Sequence, residues 1–374
     1  MENSQDKIVK VVHLTSAHQD GDVRIFHKEC VSLAQAGFEV YHLIPNTKSR
    51  IEKGVHIVSF DFPVTSRFKR MFFLVKEIYK KALALNADIY HLHDPELLRI
   101  AMKLKKKGKK VIYDSHEDLP RDILSKQYIP TFLRKFICKR VEKFENRIAS
   151  RIDGVVTATP FIRDRFLKIQ KNTVDINNYP VLETEVPYLK YEEKTVNAIC
   201  YIGTLNADRG VREIVQAAEL ANCKLFLGGD FRQAGFKEEL QKLEGWKRVE
   251  ELGFLNREQV LDVYNKSKLG LVTLHPLINF MDALPVKMFE YMAAGIPVIA
   301  SNFPYWKNIV EIGECGLCVD PKSPQEIANA IKFILENPDK AKVMSENGKR
   351  LVKEVSNWDI EKKKLVEFYL KLNC

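Results

Sequence analysis

Short β-rich runs alternate with runs at helical spacing along the whole chain, and this alternation is what most constrains the fold. In the first half the strand-like runs are KIVKVVHL, FEVYHLI, VHIVSF, ADIYHLH, KKVIYDS and DGVVTAT. The second half repeats the rhythm with NAICYIG, CKLFLGG, VEELGFL, LGLVTL and PVIAS. Strand and helix alternating at this frequency predict parallel sheets with helices on both faces. We therefore expect an α/β protein with two doubly wound domains.

The break between the two halves falls near residue 185, in the segment NNYPVLETEVPYLKYEEKT. A chain of 374 residues is long enough for two domains of ordinary size. We expect a first Rossmann-like domain over residues 1–185 and a second over residues 186–355. The amphipathic run at 356–374 predicts a terminal helix.

Charge is distributed unevenly between the halves. Residues 1–180 carry 33 Lys and Arg against 21 Asp and Glu, a net +12, whereas the remainder carries 26 against 28, a net −2. Such asymmetry favours an anionic partner for the first half, either a membrane or a nucleic acid. Nucleic-acid binding has less support, because the loops after the strands lack interleaved aromatic residues.

The seven cysteines are scattered, odd in number and without a disulfide framework, which favours reduced thiols in a cytoplasm. The opening sequence MENSQDKIVKVVHL lacks the basic and apolar regions of a secretory signal. Cys315-Gly-Leu-Cys318 raises the question of zinc or redox chemistry, but no second pair and no nearby histidine follows it. We expect two small apolar residues at a strand edge there, and a cytoplasmic protein.

The loops that follow the strands are the candidate site, because ligands of open parallel sheets bind beyond the carboxyl ends of the strands. In TSAHQDGDVRIF, Gly21 would let backbone amides approach an anion at a helix amino terminus. A glycine needed only for the turn explains the spacing equally well. The aspartates on either side of it form a DxD pattern, but at a helix start they are more typical of a cap than of a metal site.

Histidines mark two further loops of the first half. His91 and His93 alternate along a strand without a third ligand at a recognisable spacing, so we expect hydrogen-bonded structural histidines rather than a metal site. His116 follows the strand KKVIYDS, where a histidine can donate to a substrate hydroxyl or to a developing negative charge. A structural role for His116 is equally compatible with the sequence.

Two loops of the second half suit an anion. Arg209 stands beside a glycine at a helix start in YIGTLNADRG, an arrangement that can bind a diphosphate by charge and by backbone donors, although a solvated loop arginine is the alternative. In DALPVKMFEYMAAGIPVIAS, Pro285 fits the first turn of a helix whose amino terminus has spare donors. Lys287 in the same turn could neutralise phosphate charge or could simply be solvated.

The segment from Asp282 to Ser301 resembles the signature of the retaining family-4 glycosyltransferases of GT-B fold. That signature has two acidic residues separated by seven, here Asp282 and Glu290, followed by a run like YMAAGIPVIAS. VRIFHKECVSLAQAGFEV, YHLHDPELL, VIYDSHEDLP, YIGTLNADRG and GLCVDPKSPQEIANAI look like family segments in family order. The resemblance implies a GT-B fold, with two doubly wound domains facing each other across a cleft and the terminal helix packing back on the first.

The resemblance also implies roles for the acidic residues and the strand-tip histidine. Glu290 would bind the ribose hydroxyls and Asp282 would lie near the donor sugar. His116 would be the family's cleft histidine, which contacts the donor sugar near its reacting centre. Asp282 is one methylene shorter than the glutamate usual at that position, so its reach toward the sugar is a departure from the family.

The phosphate and base contacts follow in the same way. Gly21 would lie under the phosphate with Arg209 beside it, and Gly253 and Leu255 would place backbone groups against the base. Thr204 stands where the family often has an arginine, immediately after the first glycine of the phosphate loop. More of the charge would then fall to Arg209 and to Lys287 of the neighbouring helix.

The implied reaction is transfer of a sugar from a nucleotide-sugar, most often a UDP-sugar in this family, to a hydroxyl with retained configuration. Helix termini and basic side chains would neutralise the leaving diphosphate, so no metal and no cofactor is expected, and the nucleotide-sugar is a substrate. No enzyme nucleophile is evident, and front-face attack is the family expectation. A nucleotide-sugar epimerase of the same fold and a catalytically inactive nucleotide-binding relative are the alternatives.

The acceptor should lie against the basic first half. SRFKRMFFLVKEIYKKAL (66–83) places apolar residues from Phe68 to Ala82 at intervals of three and four. An aromatic-rich amphipathic helix with basic flanks suits an anionic membrane surface, whereas packing of that stripe on the sheet is the commoner arrangement. Membrane contact and packing on the sheet are compatible if only Phe73 and the basic residues that flank the stripe meet lipid. We expect peripheral binding at the inner face of the cell membrane and a lipid-linked or saccharide acceptor in surface polysaccharide synthesis, such as capsule or lipopolysaccharide.

Overall fold

The computed structural model describes residues 8–126, 129–182, 191–194 and 197–373. The chain divides into two compact units. The first unit comprises Met1–Asn178 and Asp359–Cys374, and the second unit comprises Tyr179–Trp358. The division therefore lies a few residues before the predicted break at 185, and the terminal helix belongs to the first unit. Among the described residues, no helix is long and apolar enough to cross a bilayer.

The first unit is built on one eight-stranded sheet. Its strands are β1 (Lys10–Leu14), β2 (Glu39–Leu43), β3 (Arg50–Glu52), β4 (Val55–Val58), β5 (Ile89–Leu92), β6 (Lys110–Ser115), β7 (Gly154–Thr157) and β8 (Thr173–Asp175). They lie in the order β3-β4-β2-β1-β5-β6-β7-β8, and only the β3–β4 pair is antiparallel. Strand order reverses between β1 and β5, so a ligand crevice is expected at their carboxyl ends.

Helices of the first unit pack on both faces of this sheet. They are Val31–Gln35, Arg67–Lys69, Val75–Leu85, Leu98–Lys105, Leu119–Ser125, Thr131–Ala149, Pro160–Leu167 and the terminal helix Trp358–Asn373, with wide π-helical segments at Val23–Cys30 and Arg70–Leu74. Even-numbered residues of β1 and β5, such as Val12 and Tyr90, join the core on one face. His13 and His91 point to the other face, because side chains alternate along a strand.

The apolar stripe predicted from Phe68 to Ala82 divides into two parts. Val75 and Ile78 are buried in the core, as expected for a helix that packs on the sheet. Phe68, Phe72 and Phe73 are 61%, 45% and 57% exposed. The prediction that the whole stripe packs on the sheet is therefore wrong for its first turns. The wide segment Arg70–Leu74 shifts the helical phase between the two parts.

The second unit is built on a six-stranded, fully parallel sheet. Its strands are β9 (Ala198–Ile202), β10 (Lys224–Gly228), β11 (Val249–Gly253), β12 (Leu269–Val272), β13 (Val298–Ser301) and β14 (Gly316–Val319). They lie in the order β11-β10-β9-β12-β13-β14. The helices are Val211–Leu220, Phe236–Leu240, Arg257–Lys266, Val286–Ala293, Pro304–Val310, Pro324–Glu336 and Pro338–Glu354.

Two hydrophobic cores cover the two faces of this second sheet. Ile199 and Tyr201 of β9 belong to one core, and Ala198 and Cys200 of the same strand belong to the other. Strands buried on both faces are typical of parallel sheets. The strand order reverses between β9 and β12, so the expected ligand crevice of this unit lies at their carboxyl ends.

The CxxC segment lies at β14. Cys315 is buried and Cys318 is half-buried, and burial raises the pKa of each thiol to about 12. None of the six described cysteines forms a disulfide. Because a thiol that resists ionisation is a poor metal ligand and nucleophile, the surroundings favour the apolar interpretation of this pair.

Candidate functional site

Asp114 is the centre of a buried polar cluster at the carboxyl ends of β1, β5 and β6. Arg24 binds it through two N–H groups, from Nη2 to Oδ1 at 2.9 Å and from Nε to Oδ2 at 3.2 Å, and Arg24 Nη1 also donates to the Ile176 carbonyl at 2.6 Å. Burial opposes ionisation of this carboxyl, but Arg24 and His116 outweigh it and hold the pKa of Asp114 well below its usual range. Asp114 is therefore an anion at neutral pH.

His116 follows β6 directly, as the sequence predicts. Its Nε2 lies 3.0 Å from Asp114 Oδ2 and 3.1 Å from His93 Nδ1. Its ring centroid is 4.8 Å from that of His18. A carboxylate that accepts the Nε2–H fixes the orientation of the imidazole and leaves Nδ1 for another partner.

Glu29 lies on the π-helical segment Val23–Cys30, close to the same arginine. Its Oε1 is 3.1 Å from Arg24 Nε, yet neither Glu29 oxygen has a hydrogen-bond partner among the described residues. Burial and the charge of Asp114 raise the pKa of Glu29 well above its usual range. The two carboxyl groups thus share one guanidinium, and burial favours protonation of Glu29 rather than of Asp114.

Three fully buried histidines extend the cluster along the sheet. His13 Nδ1 lies 2.8 Å from His93 Nε2, and His91 Nδ1 lies 2.6 Å from Tyr369 Oη of the terminal helix. Burial, together with neighbouring histidines, lowers the pKa of all three imidazoles well below the ordinary value. The hydrogen bonding predicted for His91 and His93 is observed, and these rings are neutral.

Two groups of side chains in this cluster have donor atoms close enough for a metal ion. They are His13 with Glu29, His91 and His93, and His93 with Asp114 and His116. The Arg24 guanidinium contacts the carboxylate of each group, and a metal ion would have to share those oxygens with an existing cation. The expectation of a site without a metal stays a prediction. His13 was not predicted from the sequence. It lies opposite His91 in the register of the β1–β5 pair.

Gly21 lies at the start of the π-helical segment, with a left-handed φ of 74°. The aspartates beside it have separate partners. Asp22 caps the segment by accepting hydrogen bonds from the backbone N–H groups of Arg24 and Ile25, and Asp20 pairs with Arg50 at 2.8 Å. The capping interpretation of this DxD pattern therefore suits the structure, and contact of Gly21 with a phosphate stays a prediction.

Gly203 and Gly229 form a tight double turn at the carboxyl ends of β9 and β10. Their φ values are 140° and 132°, and a Cβ atom on Gly229 would lie 1.8 Å from the Gly203 carbonyl oxygen. No side chain fits between the two backbones. Gly229 N also donates to the Gly253 carbonyl at 2.7 Å, which joins the loop after β11 to the same turn.

Lys287 lies under this turn. Its Nζ is 3.8 Å from the centroid of the Tyr201 ring, is buried, and has no hydrogen-bond partner among the described residues. A Cβ atom on Gly203 would lie 2.6 Å from this amine. Burial and the charge of Arg209 lower the pKa of Lys287 well below its usual range. The alternative of a solvated lysine is therefore wrong.

Arg209 ends a short turn of 3₁₀ helix, Ala207–Arg209, just before the helix Val211–Leu220. Its guanidinium lies 5.6 Å from the centroid of the Phe280 ring. The carbonyl of Thr204 accepts a hydrogen bond from Tyr201 Oη at 3.0 Å. Thr204, Arg209 and Lys287 are thereby gathered around the Tyr201 ring.

Glu290 lies one turn further along the helix Val286–Ala293. Its Oε1 accepts from Arg257 Nη1 at 2.8 Å, and its Oε2 accepts from Tyr264 Oη at 2.9 Å. Neither partner was predicted from the sequence. They are seven residues apart in NREQVLDVYNK, a spacing that places two side chains on one face of a helix. The contact with Glu290 of a different helix is not readable from that spacing.

The remaining predicted residues lie in loops of the second unit. Asp282 is partly buried between β12 and the helix Val286–Ala293, and the neighbouring Ala283 carbonyl accepts from Trp306 Nε1 at 2.8 Å. Gly253 ends β11, and Leu255 packs against Gly228, where an added Cβ would lie 2.7 Å from Leu255 Cδ1. These groups occupy the strand-end loops in which the sequence predicts a donor site.

Sequence profiles of two glycosyltransferase families match the chain. Residues 21–176 match the profile described as "Glycosyltransferase Family 4", and residues 189–351 match "Glycosyl transferases group 1". An uncharacterized glycosyltransferase of Methanocaldococcus jannaschii is 25% identical over all of this chain and 94% of its own length. A second one from that organism is 26% identical over 46% of this chain and 44% of its own length. The alpha-D-kanosaminyltransferase of Streptomyces kanamyceticus is 27% identical over 40% of this chain and 39% of its own length, so the chain spans less than half of these last two relatives.

Solved structures share the fold over nearly the whole chain. Sucrose-phosphate synthase from Thermosynechococcus elongatus has a TM-score of 0.78 at 18% identity, covering 97% of this chain and 99% of that one. WaaG, a glycosyltransferase involved in lipopolysaccharide biosynthesis, has a TM-score of 0.72 at 14% identity, covering 96% of this chain and 99% of that one. The Anabaena protein HepE in complex with UDP-glucose has a TM-score of 0.70 at 16% identity, covering 97% of this chain and 99% of that one. With two parallel-sheet units and a glycosyltransferase profile on each, the chain belongs to the glycosyltransferases of GT-B fold.

Proposed function

We propose that the chain is a retaining glycosyltransferase that moves a sugar from a nucleotide-sugar, a UDP-sugar, to a hydroxyl of a lipid-linked or saccharide acceptor. The observation that carries this proposal is the buried, unpaired amine of Lys287 under the Gly203 turn. An unpaired buried ammonium is unfavourable, and a diphosphate would supply the missing anion. The amino terminus of the helix Val286–Ala293 adds N–H groups that have no partner within the helix.

Glu290 would hold the ribose. Arg257 and Tyr264 each donate to one of its two oxygens, which fixes the carboxylate in one orientation. Each carboxylate oxygen has two acceptor positions, so one position on each oxygen is available for a vicinal diol. The backbone groups of Gly253 and Leu255 would contact the base, and Asp282 would lie near the donor sugar.

The leaving diphosphate would be neutralised by Lys287, Arg209 and the helix amino terminus, so we propose that the reaction needs neither a metal nor another cofactor. His116, held by Asp114, would contact the donor sugar near its reacting centre and stabilise the charge that develops there. An acceptor hydroxyl then forms its bond to the anomeric carbon as the bond to the diphosphate oxygen breaks, and its proton passes to that oxygen. Activity that persists in excess EDTA would support this part of the proposal.

The biological setting is proposed from the same comparisons and from the surface of the first unit. HepE was solved with UDP-glucose, and WaaG acts in lipopolysaccharide biosynthesis. The exposed Phe68, Phe72 and Phe73 stand among Arg67 and Lys69, and aromatic residues with basic neighbours suit an anionic lipid surface. We propose a cytoplasmic protein bound peripherally to the inner face of the cell membrane, acting in surface polysaccharide synthesis.

Thermal melting with UDP, GDP, ADP and their sugars, without added metal, tests the donor site. A ligand at about 100 times its Kd adds about 2.7 kcal/mol of stability, enough to raise the Tm by a few degrees. We expect a shift with the uridine compounds that Glu290→Ala removes and Glu258→Ala, an exposed neighbour of Arg257, retains. A wild-type protein that no nucleotide stabilises would contradict the proposal.

A further inference from the structure

Asp94 lies just beyond the carboxyl end of β5, with a side chain that is only 5% exposed. Its Oδ2 accepts three hydrogen bonds, from Thr15 Oγ1 at 2.8 Å, Ser16 N at 2.6 Å and Ala17 N at 3.3 Å. Its Oδ1 accepts none from the described residues and lies 3.7 Å from His18 Nε2. That separation is too long for a hydrogen bond. Oδ2 of this buried carboxylate therefore accepts three hydrogen bonds, whereas Oδ1 can still accept one from a ligand.

His18 is held from the opposite side. Its Nδ1 lies 3.1 Å from Asp22 Oδ2, and its backbone N–H donates to Thr15 Oγ1 at 3.1 Å. Its side chain is 28% exposed. Burial opposes charge on this ring, but Asp22 and Asp94 outweigh it and raise the pKa of His18 above the ordinary value. The ring is thus fixed in place, with Nε2 directed at the open oxygen of Asp94.

The surroundings connect this pair to the proposed reaction. The His18 ring is 4.8 Å from that of His116, which we place near the reacting centre of the donor sugar. On the other side, Glu96 pairs with Arg70 Nε at 2.8 Å. Arg70 belongs to the segment that carries the exposed phenylalanines. Ser16 donates hydrogen bonds to both Asp94 and Glu96, so the Asp94–His18 pair is connected through Glu96 to that segment.

We infer that Asp94 Oδ1 and His18 Nε2 together bind a hydroxyl group of the sugar acceptor. The inference rests on the proposed transfer and names the acceptor subsite of the first unit. A hydroxyl oxygen at about 2.8 Å from both atoms would bridge the gap, donating to the carboxylate and forming a second hydrogen bond with Nε2 of the imidazole. An anion would be repelled by Asp94, so a neutral group that can donate to the carboxylate and also bond to the imidazole is the ligand that this pair fits.

Asp94→Asn tests the inference with little structural change. The amide oxygen can still accept from Thr15 and Ser16, while an N–H₂ group replaces the oxygen that would accept from the hydroxyl. Asp20→Asn is the matched control, because Asp20 lies in the loop after β1 that also carries His18, but its carboxylate is occupied by Arg50 and Thr47. The probes are octyl glucoside, octyl galactoside, octyl mannoside and octyl N-acetylglucosaminide, assayed with the full chain and the nucleotide-sugar it turns over.

We expect the KM for the accepted glycoside to rise at least tenfold in Asp94→Asn, since a hydrogen bond to a charged group is lost. The ratio of transfer to donor hydrolysis should fall by a similar factor, and Asp20→Asn should keep wild-type values. The UDP-induced rise in Tm should be the same in both variants, because that site lies in the second unit. His18→Ala should also raise KM, and it serves as the second variant if Asp94→Asn folds poorly.

An unchanged glycoside KM in both Asp94→Asn and His18→Ala would overturn the inference. Hydrolysis of the donor without transfer to any of the four glycosides would overturn it too, because the pair is built for a simple sugar hydroxyl. A wild-type protein that gives no UDP-induced shift would instead refute the proposed function, and this inference would fall with it. The two failures are therefore distinguishable in one set of measurements.

Discussion

Lys287 is the residue on which the proposed diphosphate site depends most. Its amine sits over the Tyr201 ring without a hydrogen-bond partner among the described residues, and Arg209 adds a second positive charge nearby. Burial and the charge of Arg209 disfavour the charged form and lower the pKa of Lys287. A bound diphosphate would supply opposite charge and hydrogen-bond acceptors, so the residue would gain its partner only in the liganded protein.

Lys287→Met should separate stability from binding. Removing an unpaired buried amine should raise the free energy of unfolding by about 1 kcal/mol, which corresponds to roughly 2–4 °C in the Tm of a unit of this size. The same variant should lose the UDP-induced rise in Tm. Lys266→Met, which removes an exposed i,i+4 ion pair with Asp262, should change neither quantity much. A destabilised Lys287→Met that still responds to UDP would contradict this role.

The buried histidines predict an acid-sensitive first unit. His13, His91 and His93 have folded pKa values below their unfolded value of about 6.5. Their contribution to stability is therefore complete above that pH and is lost as pH falls, because the unfolded chain takes up protons that the folded chain does not. Burial also lowers the pKa of His42 to about 4, which acts in the same direction, whereas the raised pKa values of Glu29 and His18 act in the opposite one. Each proton that the unfolded chain binds in excess of the folded chain contributes about 1.4 kcal/mol per pH unit to the slope.

Urea titrations followed by circular dichroism between pH 7.5 and pH 5.5 measure this slope. The unfolding free energy of the first unit should fall steadily below pH 6.5, and His13→Gln should make the fall shallower. His56→Gln changes a half-buried histidine outside the cluster and should leave the slope as it is. Stability that is constant over this range would show that the three imidazoles are not held neutral.

At the scale of elements, strands and strand-end loops are the features that the sequence predicts well. Short runs rich in Val and Ile form strands as predicted. The loops after them carry His116 and Arg209, and Lys287 lies in the first turn of the helix Val286–Ala293, because parallel sheets gather these segments at one edge. Contacts between elements were not predictable. The pairing of Arg24 with Asp114, 90 residues away in the chain, and of Arg257 with Glu290 depends on packing that no local spacing encodes.

The exposure of Phe68 and Phe72 is a second feature that local spacing in the sequence does not predict. Helical spacing alone places Phe68 and Phe72 in one stripe with Val75, yet the wide turn between them moves the first two to the surface. A π-helical turn is set by tertiary packing and leaves no clear sequence signal. The exposure of Phe68 and Phe72 is thus a structural finding, whereas exposure of Phe73 was an expectation from the sequence. All three residues bear directly on the membrane proposal.

Phe72→Ser with Phe73→Ser tests that proposal by flotation on vesicles of phosphatidylglycerol and phosphatidylcholine at low salt. The wild-type protein should float with the vesicles, and the double variant should remain mostly in the dense fraction, because two exposed apolar anchors are lost. Phe254→Ser is the matched control, since Phe254 is 77% exposed but belongs to the second unit. Wild-type protein that ignores the vesicles, or a double variant that floats equally well, would refute a role for this segment.

At the scale of the whole molecule, the two units carry different parts of the chemistry. The second unit holds the groups suited to a nucleotide diphosphate, and the first holds the histidines and the open Asp94 carboxylate. The charge follows the same division, with the excess of Lys and Arg in the first half of the chain. The fold and the loops at the carboxyl ends of the strands could be predicted from the sequence, whereas the burial of Lys287 and the Asp94–His18 pair could not, because both depend on neighbours from other strands.

The most direct measurement is release of nucleoside diphosphate from UDP-, GDP- and ADP-sugars, with and without the octyl glycosides, in excess EDTA. We expect release from a UDP-sugar that increases with a glycoside, is lost in Glu290→Ala, and yields a product whose anomeric configuration by proton NMR matches the donor. No release from any nucleotide-sugar by protein that binds UDP would contradict the account, and would leave the chain a nucleotide-binding relative without transferase activity.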